Sequence, residues 1–388
     1  MSKDWPSGRD DDQQLAKRGY TVGQKVGEGS YAKVRSAFSK TLGKQVAIKI
    51  IDLVKAPEDF RTKFFPRELQ ILKDVNHQNI VKLHESFKIH SKTFLVMELA
   101  GHGDLLEYVK LRGFLSEPRS RQFFRQMCEG VKYLHSRCII HRDLKCENIL
   151  LDSANNVKIS DFGFARYLLP GEESRTFCGS AAYAAPEILR GDPYTGFSYD
   201  IWSLGVILYI MVCGKMPFDD SNLDQLQKAQ QDKKIRYPQA LSKKLSADVK
   251  SLISKMLEPD LNERLSLDAV IVSDWLKDTP YVFNNPLPSS DFKTDTRKDS
   301  TNSTKTLPLA QESGEKTRGF SRSRRQSSRD SSDASAKSKS KKDDQRSSRG
   351  SDLGETKPFV LIRRWMAGKQ GTKSRTKSRQ DSVDKEKN

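Results

Sequence analysis

At 388 residues the chain is long enough for one large domain or two small ones with a sizeable core. Only 36% of it is hydrophobic while 30% is charged, so part of it is expected to stay unfolded. The formal charge of +18 is uneven, about +12 of it falling after Pro280 (26 Lys and Arg against 14 Asp and Glu), which favours anionic partners such as nucleic acid, acidic proteins or membrane surfaces.

Five cysteines without a CxxC pair, and no charged-then-apolar leader, argue against a disulfide framework. The longest apolar run, Ile201 to Cys213, is shorter than the roughly 20 residues a membrane-spanning helix needs, and reads as a buried core helix with no transmembrane segment. The expectation is a cytoplasmic protein, with the basic tail offering a route to the nucleus.

Met1 to Gly19 is polar and charged and reads as a loose arm. Strand-like alternation begins at Tyr20. The runs Tyr20 to Val26, Ala32 to Ser39 and Gln45 to Asp52 predict three short strands parted by glycine turns. Helical spacing covers Phe64 to Val75, led by Pro66. Two more strands are predicted at Ile80 to Phe87 and Thr93 to Leu99. Helices then dominate at Leu105 to Arg112, Glu117 to Ser136, Asp200 to Cys213, Asp248 to Met256 and Ser266 to Val272. A strand-rich part followed by a helix-rich part, joined near Leu99 to Gly103, predicts two lobes with a cleft between them. From Pro286 onward Ser, Thr, Lys, Arg and Asp prevail, and such a stretch buries too little apolar area to offset its backbone entropy. Phe359 to Met366 is an apolar island within it, a docking segment or a chance run.

Four stretches carry chemistry. Gly27-Glu28-Gly29-Ser30-Tyr31-Ala32-Lys33-Val34 lies between two strands, and its glycines allow backbone amides to approach phosphates, although a plain hairpin fits the same residues. Val46-Ala47-Ile48-Lys49 puts a lysine in an apolar strand, either facing solvent or buried with a partner, for which Glu68 is placed. Ile140-His141-Arg142-Asp143-Leu144-Lys145-Cys146-Glu147-Asn148 spaces a carboxylate and an amide along one loop. Asp161-Phe162-Gly163 follows after a hairpin pattern that returns Asp161 to the same cleft.

In this order the motifs from about Tyr20 to Trp275 resemble the eukaryotic protein kinase family of serine/threonine type. Phe65-Pro66-Arg67-Glu68-Leu69, Cys146, and Thr176 to Glu187 narrow the likeness to the testis-specific serine/threonine kinases of the calmodulin-kinase-like group, and so to spermatogenesis. The resemblance implies an α+β, bilobal kinase domain over 20–276. Its small β-rich N-lobe (about 20–99) carries one key helix, and its C-lobe (about 103–276) is larger and helical. The flanks are a disordered arm (1–19) and a disordered basic tail (277–388).

It also implies roles. ATP is held by Val26, Gly27, Glu28, Gly29, Ser30, Tyr31, Ala32, Lys33 and Val34, by Lys49 paired with Glu68, and by Met97, Glu98 and Ala100 at the hinge. Asp143 is the catalytic base with Lys145 beside it, and Asn148 and Asp161 hold Mg²⁺. Ala32 replaces a usual glycine, which a negative φ accommodates. Glu187 and Arg264 form a structural pair. Arg142 is an unpaired cation until a phosphate on Thr176, set by an upstream kinase or by autophosphorylation, docks on it. Asp104, Glu147 and Ser180 contact the protein substrate, the two acids favouring basic residues upstream of the target serine. The tail's Arg324-Arg325-Gln326-Ser327 has that spacing, making Ser327 an autophosphorylation candidate. The tail's charge also permits weak binding to nucleic acid or an anionic surface.

Overall fold

The computed structural model describes residues 8–29, 31–169, 171–173, 179–194 and 196–284, all within one compact unit. In chain order it runs α1 (Gly8–Lys17), β1 (Tyr20–Glu28), β2 (Ala32–Ser39), β3 (Lys44–Asp52), α2 (Phe65–Asp74), β4 (Leu83–Ile89) and β5 (Lys92–Glu98). There follow α3 (Leu105–Lys110), α4 (Glu117–Ser136), β6 (Ile139–Ile140), β7 (Ile149–Leu151), β8 (Val157–Ile159) and β9 (Arg166–Tyr167). The last elements are α5 (Pro186–Arg190), α6 (Phe197–Cys213), α7 (Leu223–Gln231), α8 (Gln239–Ser242), α9 (Ala247–Met256) and α10 (Leu267–Ile271).

The five predicted strands form one antiparallel sheet in the order β1-β2-β3-β5-β4. Its central strand β3 is buried on both faces, and alternation sorts its side chains. Val46, Ile48 and Ile50 share a cluster with Phe94, Val96 and Leu15, whereas Ala47, Lys49 and Ile51 turn to the other side. Leu15 belongs to α1, which corrects the loose-arm expectation for residues 8–17. A ten-residue polar helix is marginal alone, but here the fully buried Leu15 and the Asp11–Lys92 ion pair (2.7 Å) fasten it to the sheet. With one apolar anchor the segment shows too little periodicity to be read from sequence.

The C-lobe is built around α6, whose residues from Tyr199 to Cys213 are all buried. A helix apolar all round must be enclosed, and α4 and α9 pack against it. Two small antiparallel sheets, β6 with the distant β9 and the β7–β8 hairpin, carry the loops between these strands to the lobe's edge. No helix among the described residues is long and apolar enough to cross a membrane.

The chain does not come loose at residue 277. The Tyr281 hydroxyl donates to Asn79 Oδ1 (2.5 Å), Gln126 Nε2 donates to the Val282 carbonyl (2.7 Å), and Asn156 and Asn284 exchange two bonds of 2.7 Å. Residues 277–284 therefore belong to the folded body, a correction to the predicted start of the disordered tail. Their Tyr-Val-Phe run is too short to show a period. The rest of the tail, with Ser327 and the 359–366 island, lies outside the described residues.

Candidate active site

The glycine stretch turns from β1 into β2, closed by Gly29 N–H donating to the Ala32 carbonyl (2.8 Å). Ala32 is buried and outside the left-handed region, so its methyl group is accommodated as expected. Val26, Val34 and Ala47 form a small apolar cluster with Leu99 packed on it, a flat lining between the turn and the β5 end. Tyr31 packs on Phe60 with the rings tilted (4.6 Å between centroids), and Glu28 is engaged by Lys25 on the surface. Lys33 is held below the usual lysine range, chiefly by desolvation. Ser30 lies outside the described residues.

Lys49 is buried, pairing Nζ to Glu68 Oε1 at 2.7 Å. Pro66 in the first turn of α2 starts the helix that presents Glu68. Glu68 Oε2 is buried without a hydrogen-bond partner. A pocket beside this pair is lined by Leu72, Val81, Met97, Ser160, Asp161 and Phe162. Met97 pairs with Ala47 across the sheet, and Glu98 N–H donates to the Lys82 carbonyl (2.8 Å). The Glu98 carboxylate faces away to Lys158 Nζ (2.5 Å), leaving the buried Ala100 to continue the link between lobes.

The loop between β6 and β7 is fixed from behind. Asp200, the one charge in α6, accepts from His141 N–H and Arg142 N–H (3.0 Å each) and contacts His135 Nε2 (2.9 Å). Arg142 adopts a positive φ of 63°, as does Asp161. These outliers are held by surrounding bonds rather than by glycine. Gly179 (φ 93°) is needed where it is, since a Cβ there would sit 2.6 Å from the Arg142 carbonyl.

On this frame Asp143 gathers three donors. Lys145 Nζ reaches Oδ2 at 2.8 Å, Asn148 Nδ2 reaches it at 3.1 Å, and the Ser180 hydroxyl reaches Oδ1 at 3.2 Å. Lys145 also donates to Ser180 Oγ (3.1 Å). Asn148 spends its amide nitrogen on the Asp143 carbonyl as well (2.7 Å), which leaves its amide oxygen for another partner. Asp161 Oδ1 accepts from Gly163 N–H (3.4 Å). Two hard oxygens, one amide and one carboxylate, suit a magnesium ion that keeps part of its water shell and its bonds to phosphate. The donor set at Asn148 and Asp161 fits that ion.

Arg142 differs from expectation. Its guanidinium is buried and donates to the Phe164 carbonyl (2.8 Å) and the Tyr194 hydroxyl (3.4 Å), so it is partnered, although by neutral groups. Arg67 of α2 stands near enough that burial first, then the charges of Arg142 and Arg166, hold it below the usual arginine range. Sequence reasoning missed Arg67 and the anchoring role of Asp200. A lone aspartate in a run otherwise free of charge was the available signal for the latter. Thr176 lies outside the described residues.

Asp104 caps α3, its Oδ1 accepting from Glu107 N–H (2.9 Å). Burial pushes its carboxyl up to about 6; the Glu107 N–H lowers it, and the charges of Glu107 and Glu147 raise it further. Glu147 accepts from the Tyr183 hydroxyl (3.2 Å). Arg264 and Glu187 form a bidentate pair (2.7 and 2.9 Å) away from the cleft.

Comparison with known proteins agrees with this geometry. The profile of the protein kinase domain matches residues 20–276. Testis-specific serine/threonine-protein kinase 1 of Mus musculus is 51% identical over 274 residues, 69% of this chain and 74% of that protein. Testis-specific serine/threonine-protein kinase 3 of Homo sapiens is 46% identical over 268 residues, 68% of this chain and 98% of that protein. Serine/threonine-protein kinase SIK1 of Mus musculus is 38% identical over 290 residues, covering 74% of this chain and 37% of that protein.

Proposed function

The chain belongs to the protein kinase family, and from that premise we propose how this ATP-dependent serine/threonine kinase divides its work. One observation carries the reading: Asp143 already accepts a hydroxyl, that of Ser180, while Lys145 bridges the two. An acceptor serine or threonine hydroxyl takes a similar place, and Asp143 orients it and receives its proton. The γ-phosphoryl group moves to that oxygen as the bond to ADP breaks. Lys145 offsets charge on the moving group, and Lys49, held by Glu68, fixes the nucleotide's other phosphates. Asn148 and Asp161 would hold Mg²⁺, which neutralises charge on the phosphate oxygens.

Asp104 and Glu147, close enough for one carboxylate to raise the pKa of the other, support a substrate groove for arginine upstream of the target serine. Arg67 and Arg142, with Arg166 (itself ion-paired to Glu172 at 3.0 Å) adding to their repulsion, support activation by phosphate on Thr176, because a dianion docking on them would relieve it. The test is a peptide library presented to the purified full chain with Mg-ATP. Arginine two or three residues before serine is expected to dominate, Glu147→Gln to shrink that preference, and Thr176→Ala to lower turnover even after treatment with an activating kinase. A library without basic preference ends the groove assignment, and an unimpaired Thr176→Ala ends the activation assignment.

A further inference from the structure

Behind the interlobe link, away from Asp143, lies a second concave site that none of these roles uses. It is a cavity of about 440 Å³, open to solvent, lined by Lys44, Asn76, His77, Gln78, Lys82, His84, Glu98 and Lys158. Three ammonium groups face one carboxylate, and that carboxylate is engaged by the buried Lys158. Lys44 and Lys82 form no ion pair among the described residues. His84 Nε2 is buried without a hydrogen-bond partner. Desolvation chiefly, then Lys44 and Lys82, holds the His84 imidazole below its ordinary range, and His77 is lowered by desolvation and then by Lys158. His77 is fixed by stacking on Tyr133 (5.1 Å) and by accepting from Asn79 N–H (3.1 Å).

From this arrangement we infer that the cavity is a docking site for phosphoserine or phosphothreonine on a protein segment. Two lysines without an ion pair, the Asn76 amide and the second N–H of the Gln78 amide, whose nitrogen also donates to the Tyr281 hydroxyl, supply donors for a phosphate dianion. Its lining holds no aliphatic or large aromatic face, so it lacks the stacking platform a nucleotide base needs. An open pocket lined by polar side chains suits a phosphate presented on an extended chain. The enzyme makes such groups, and a site apart from the cleft lets it hold a partner already phosphorylated while Asp143 meets a second hydroxyl. The cavity also touches the 76–78 loop that follows α2, the helix bearing Glu68.

The experiment is fluorescence anisotropy on the full chain with a labelled phosphoserine peptide in a glycine-alanine frame. The serine version is expected to bind at least about tenfold more weakly, and Lys44→Ala/Lys82→Ala to lose about the same factor with turnover of an ordinary peptide unchanged. Equal phosphopeptide binding by variant and wild type would assign the affinity to the arginine cluster or the tail and overturn the site. Inorganic phosphate competing at the same concentration as the peptide would leave an adventitious ion only, and would overturn it too. In either failure, retained turnover leaves the catalytic reading standing.

Discussion

Among the described residues, one buried ion pair of each lobe, Arg264–Glu187 and Lys49–Glu68, shows how differently such pairs are finished. In the C-lobe Arg264 grips both oxygens of Glu187, donates to the Glu258 and Ser198 carbonyls, and sits under Trp202. In the N-lobe Lys49 reaches only one oxygen of Glu68, and the other is buried and unsatisfied. A saturated bidentate pair has one good geometry and serves as a fastener. A pair that leaves one carboxylate oxygen orphaned is less stable than its burial suggests, so Lys49 holds Glu68 less firmly than Arg264 holds Glu187. The unsatisfied pair belongs to the site, and the satisfied one belongs to the scaffold.

The largest effect that separates site from scaffold is expected at Asp143. Asp143→Asn keeps shape and can still accept from Lys145, but an amide cannot take the incoming proton. Turnover should fall about 10²–10⁴-fold with little change in melting temperature. Substantial turnover in a normally melting variant would remove the base assignment. The scaffold gives the opposite signature. Arg264→Ala strands the Glu187 carboxylate in the core and should cost about 3–5 kcal/mol, lowering the melting temperature by roughly 10 °C, with residual activity following the folded fraction. An unchanged thermogram would mean that the pair contributes nothing net.

Smaller effects sharpen the N-lobe side. Glu68→Gln keeps a hydrogen bond to Lys49 but removes the Glu68 counter-charge from its buried ammonium, so kcat/KM for ATP should fall about tenfold, mainly through KM, and stability should drop, though by less than in Arg264→Ala. Lys49→Met alone leaves Glu68 buried and uncompensated, so loss of activity there mixes two causes. Lys49→Met/Glu68→Leu is expected to restore melting without restoring turnover. Recovery of turnover in that double variant would show that Lys49 is dispensable.

The same contrast explains what was legible in the sequence. Lys49, Glu68, Asp143, Asn148 and Asp161 stand out because chemistry fixes both residue type and spacing. The strands and long helices stand out because a buried face forces a period, as in Glu117–Ser136, where the predicted and observed bounds coincide. Features held by a few long-range contacts were hidden. α1 is docked by Leu15 and by the ion pairs of Asp11 with Lys92 and of Asp12 with Arg35, and Tyr281 is tied to Asn79 across 202 positions of sequence. Neither leaves a local pattern. Arg142 was misread for a related reason: its partners, a carbonyl and a phenol, carry no charge that a sequence displays.

Asp104 is where scaffold and site meet in one residue, and it supports the smallest and most discriminating prediction. Its carboxyl caps α3 and also lies near Glu147. The folded pKa, about 6, is above the ordinary 3.8. Ionising this group therefore costs the folded state, so its effect is absent below about pH 4, grows as pH rises to about 6 and is complete above that. Asparagine caps as well as aspartate. Asp104→Asn should thus melt no lower than wild type at pH 7.5, and any advantage should vanish near pH 4. If the ionised carboxylate also attracts substrate arginine, wild type should prefer an arginine peptide over its alanine version at pH 7.5 and lose part of that preference below about pH 6. The Asn variant should show a few-fold smaller preference with no such inflection. A variant that keeps the full arginine preference across this range, while melting as expected, would make Asp104 a cap alone and leave Glu147 to carry the specificity.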